Sequence, residues 1–100
     1  MLPEKVKIGG FTWPVVYEDN LQSLRERAGE ARFIDQVIAM SKTNTSERKQ
    51  EVFIHEILEI IKHLYEIKLD HDNLSRIAVV LHQIIKDNPG IFDFKEVADV

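Results

Sequence analysis

One hundred residues make one domain with a thin core, and the absence of cysteine excludes both disulfides and thiolate metal sites. Seventeen acidic residues against thirteen basic ones leave a net charge of −4, which argues against nucleic acid as the main partner. No apolar run approaches membrane-spanning length, and Met1-Leu2-Pro3-Glu4-Lys5 has no apolar signal core behind it, so the expected setting is the cytoplasm, with no membrane partner.

The first 43 residues read as mainly β. Lys5-Val6-Lys7-Ile8 alternates polar and apolar, and Gly9-Gly10 can supply the positive φ angles of a two-residue hairpin turn. Phe11, Trp13, Val15 and Tyr17 then fall on one strand face at period two. The expectation is a hairpin over 4–17, with the second strand at an edge or interrupted at Pro14, which cannot donate to a ladder. Leu21, Leu24 and Ala28 have helical spacing, so residues 18–27 read as a short helix or an ordered loop. Ala31 to Asp35 and Val37 to Met40 read as two short strands about Asp35-Gln36.

Residues 44–88 read as two helices, and 89–100 as a tail. In Asn44-Thr45-Ser46-Glu47 a capping residue precedes a Glu by three positions, and nothing breaks a helix from there to about Ile67. Its apolar side chains, from Phe53 and Ile54 to Ile67, cover an arc broad enough for two neighbours. Leu69 to Asn73 makes a connection, and a second helix runs to about Lys86 with Leu74, Ile77, Ala78, Leu81, Ile84 and Ile85 inward. Asp87-Asn88-Pro89-Gly90 ends it. The fold class expected is α+β: a small antiparallel sheet packed on a long central helix, with a second helix behind.

The polar face of the first helix carries Arg48, Glu51, His55, Glu59, Lys62, His63 and Glu66. His55 and Glu59 are four apart and project side by side, so an imidazole and a carboxylate can share one divalent ion. Glu56 sits about 100° round from His55, at the border of the polar and apolar arcs, where it can face a metal-activated water. This is the logic of His-Glu-x-x-His, with Glu59 in place of the second His. The third ligand expected is His71, beyond the connecting turn, with His82 as runner-up. Two His and one carboxylate form a catalytic zinc set with an open fourth position.

The stretches His55-Glu56-Ile57-Leu58-Glu59-Ile60-Ile61, Leu69-Asp70-His71-Asp72 and Ile84-Ile85-Lys86-Asp87-Asn88-Pro89 resemble a family of short phage-associated proteins with a reduced zincin-like, metalloprotease-like fold. The resemblance implies a small sheet on the long helix and a metal-dependent peptidase ancestry. It implies His55 and Glu59 as helix ligands of zinc or another divalent metal, Glu56 as general base and His71 as third ligand, with Asp72 the acidic alternative. The partner expected is a peptide or protein. The alternative is a non-catalytic interaction module that keeps the zincin shape.

Overall fold

The computed structural model describes residues 2–19 and 28–94. Strand β1 (Lys5–Ile8) turns into β2 (Phe11–Glu18) through Gly9 and Gly10, both at positive φ (58° and 86°), as the two-residue hairpin requires. The expected helix or loop over 18–27 falls mostly on residues 20–27, outside the described residues. Strands β3 (Gly29–Arg32) and β4 (Val37–Ser41) form a second hairpin. Its first strand starts and ends earlier than the pattern over 31–35 predicts. The turn needs four residues, Phe33 to Gln36; Gln36 takes φ 57°, and Ile34 stands wholly in solvent.

The sheet order is β1-β2-β4-β3. The fold is α+β as expected, but the sheet is mixed rather than wholly antiparallel. β1 with β2 and β3 with β4 are antiparallel, whereas β2 and β4 run parallel, with Val15 opposite Ile38 and Glu18 opposite Ser41. Pro14 explains the change of partner. Residues 11–14 of β2 pair with β1, and the ladder to β4 begins only at Val15, just past the residue that has no N–H. β2 is thus an interior strand that runs on through Pro14, itself paired with Lys5, and Pro14 marks neither an edge strand nor a break. On the period-two face, Trp13 is buried and Val15 half-buried, while Phe11 and Tyr17 stay exposed, with Lys49 of the following helix over the Tyr17 ring at 5.6 Å.

Helix α1 (Ser46–Leu64) crosses the sheet and packs on β3, β4 and β1. Thr45, not Asn44, is its N-cap, and its side chain accepts from the Arg48 amide. The helix stops three residues before Ile67 because Glu66 turns left-handed (φ 51°). The Ile67 amide then reaches back to the Lys62 carbonyl, which is the geometry of a Schellman stop. Ile8, Trp13, Ile38, Met40, Val52, Phe53 and Ile60 form the core between sheet and helix.

Helix α2 (His71–Asp87) lies on α1 as a third layer. Its buried residues are Leu74, Ala78 and His82. Ile77 and Ile85, expected inward, are exposed, because α2 is rolled so that His82 faces α1. The His82 ring lies 3.1 Å from Gln50 Oε1, and Lys86 Nζ donates to Glu47 at 2.6 Å. Both contacts fit α2 running back along α1, a register in which His71 lies at the level of Glu59.

Candidate metal centre

The geometry follows from two helix ends and a turn. His55, Glu56 and Glu59 share about one turn of α1, in the stretch that also buries Phe53 and Ile60. His71 is the first residue of α2, just after its N-cap Asp70. Asp70 Oδ1 accepts from the Asn73 amide at 2.8 Å and Oδ2 from its side chain at 3.0 Å, which fixes the chain where His71 leaves the turn.

Glu59 is the hub. Its Oε2 is 3.7 Å from His55 Nε2 and 3.9 Å from His71 Nδ1. The two imidazoles meet edge to face, with centroids 5.2 Å apart. One donor atom from each residue lies within 4.8 Å of the others. Donors about 2.1 Å from a tetrahedral zinc are roughly 3.4 Å apart, so the carboxylate contacts need to tighten by only a few tenths of an ångström. The exposed His71 side chain, at the first helical turn, has the freedom to make the larger movement. The donor set therefore fits a divalent ion: two imidazole nitrogens and one carboxylate, on two rigid elements.

The electrostatics suit ligation as well. Burial holds the His55 ring below its ordinary value of 6.5. The nearby Glu59 carboxylate works against this, while His71 and Arg48 reinforce it. His55 is then neutral near pH 7, as a nitrogen ligand must be. At its other ring nitrogen, Nε2, His71 lies 3.5 Å from Ser75 Oγ, which leaves Nδ1 facing the carboxylate.

The cluster opens into a cavity of about 490 Å³, walled by α1, α2 and the start of β3. Glu56 is buried and lines this cavity, so the proposed base and the proposed ligands face one space. The remaining candidates lie elsewhere. His82 is packed between the helices against Gln50, and His63 stacks on Phe33 at 4.2 Å. Asp72 is exposed and is not among the converging donors. The β3 wall, Ala28 and Gly29, is not apparent from the sequence pattern, which starts that strand at Ala31. Arg48 and Glu51 also line the cavity, joined at 2.9 Å, and their positions seven and four residues before His55 put them on its face. No protein-family model, curated protein or solved structure matches this chain.

Proposed function

We propose that this chain is a zincin-like, metal-dependent peptidase of minimal size, similar to the phage-associated proteins its helix motif resembles. The observation that supports the reading is the convergence of His55, Glu59 and His71 within 4.8 Å beside buried Glu56, all facing one open cavity. His55, Glu59 and His71 would hold the ion. When bound, a divalent metal supplies Lewis acidity, which polarises a carbonyl and makes water a better nucleophile.

The protein's own residues do the rest. Glu56 accepts a proton from the attacking water at its carboxylate as the water oxygen bonds to the peptide carbon. It returns that proton to the amide nitrogen as the carbon–nitrogen bond breaks. The cysteine-free sequence suits a reducing compartment, and we assign the chain to the cytoplasm. No helix among the described residues is long and apolar enough to cross a membrane.

The test compares the zinc-loaded parent with Glu56→Gln on a mixed peptide library. The expected result is cleavage by the parent, and a loss of at least about 100-fold in the variant at unchanged metal content. Equal cleavage by both removes Glu56 as the base. A zinc-loaded parent that cleaves nothing sinks the peptidase reading and leaves the non-catalytic interaction module.

A further inference from the structure

Helix α2 carries more apolar surface than the rest of the fold covers. It rests chiefly on α1 and buries only Leu74, Ala78 and His82 of its 17 residues. Ile77 and Val80 remain 44% and 53% exposed, and with Leu81 and Ile84 they line a groove away from the metal cavity. At about 100° per residue these four side chains fall within one arc of about 100°, a stripe two turns long. One exposed apolar side chain needs no explanation, but a continuous stripe marks a surface that another molecule covers.

The charges beside the stripe say what that molecule is. Arg76 and Asp87 are 11 positions apart, close to three helical turns, so both lie on the same flank of the stripe, next to Val80. One sits near each end. Their contacts within the chain are local and exposed: Arg76 donates to Asn73 Oδ1 at 3.2 Å, and Asp87 accepts from Gln83 at 2.9 Å. When two identical helices pack antiparallel about a two-fold axis, each flank meets the same flank of the other copy with its direction reversed. An axis between Val80 and Leu81 sets Ile77 against Ile84 of the second copy. The same axis brings Arg76 to within two residues, about 3 Å along the helix, of Asp87, twice by symmetry. A parallel pair would leave these opposite charges at opposite ends.

We propose that a second copy of this chain docks on the Ile77–Ile84 stripe of α2, with the two helices antiparallel and Arg76 paired with Asp87 across the axis. This does not depend on the metal reading. Two helices of this length bury on the order of 1,000 Å² in all, the low end for a specific interface and the size class of weak, transient pairs.

Sedimentation of the full chain from about 5 to about 500 µM should show a monomer–dimer equilibrium across this range. Val80→Glu, at a half-exposed position, should raise the Kd at least tenfold without changing the circular dichroism. Arg76→Asp and Asp87→Arg should each weaken the dimer severalfold, and the double variant Arg76→Asp/Asp87→Arg should restore it. A parent that stays monomeric to the highest concentration overturns the proposal, as does a dimer that Val80→Glu leaves intact. Weakening by both single charge reversals with no recovery in the double variant overturns the antiparallel arrangement.

Discussion

Gly29→Ala tests how tightly the sheet is keyed to the helix that carries the metal ligands. An alanine in a strand would ordinarily gain about 0.5–1 kcal/mol over glycine. Here the new Cβ would lie 2.5 Å from Val52 Cγ1, with Met40 Sδ at 3.3 Å and the Ala39 carbonyl at 3.4 Å. The Val52 contact is roughly 1 Å short of an ordinary carbon–carbon separation. Val52 is nearly fully buried, and a valine in a helix keeps essentially one χ1 rotamer, so it cannot swing aside. Ala39 and Met40, the wholly buried partners of Glu30 and Gly29 in the β3–β4 ladder, hold β3 in the sheet against α1. Overpacking of this kind costs about 1–3 kcal/mol and outweighs the backbone gain. The net loss should be about 1–2 kcal/mol, or about 5–15 °C in Tm for a chain of this size. Urea unfolding of the metal-free protein gives the number. Val52→Ala alone should cost about 1.5–2.5 kcal/mol through its lost methyl groups and the space they leave. The double variant should be more stable than the sum of the singles by at least about 1 kcal/mol, since the methyl group added at position 29 then occupies space that the Val52 side chain vacates. A Gly29→Ala protein as stable as the parent, or single effects that simply add, would refute the close packing of β3 on α1.

Two further outcomes follow from the helix ends and from His55. Asp70→Ala should cost about 0.5–2 kcal/mol through the lost cap. It should also weaken zinc affinity severalfold in a chelator competition, because the next residue is His71. Thr45→Ala, which uncaps α1 far from the cluster, should cost similar stability and leave affinity unchanged; equal affinity losses in both variants would separate Asp70 from the site. In the metal-free protein, His55 titrates below 6.5 because it is buried. The unfolded chain takes up that proton first, so stability is full above about pH 6.5 and falls as the pH drops toward the native value. Melting curves from about pH 7.5 to about pH 5 should show this decline, and His55→Gln should flatten it. An unchanged slope in the variant would assign the decline to other groups.

The helices and the first hairpin were legible because their signals are local. Gly9-Gly10 fits one kind of turn, and the α1 arc from Phe53 to Ile61 repeats at helical period. The stop at Leu64 was not legible. It depends on Glu66 turning left-handed, and the sequence there contains no glycine to announce it. The parallel pairing of β2 with β4 was also missed, because strand partners depend on which edges meet across the chain, and alternation along one strand carries no information about that. His55 and Glu59 could be put side by side from their spacing alone. His71 could be brought to them only by the register of α1 against α2, which rests on tertiary packing at Leu74, Ala78 and His82. The same roll of α2 took Ile77 and Ile85 out of the expected inner face and put His82 into it.

Zinc titration by calorimetry into the chelator-treated chain tests the central claim most directly. The arrangement about Glu59 predicts one ion per chain, no detectable binding by Glu59→Ala, and undiminished binding by His82→Ala, whose ring lies outside the cluster. An absence of binding by the parent, or equal binding by the parent and Glu59→Ala, would contradict it.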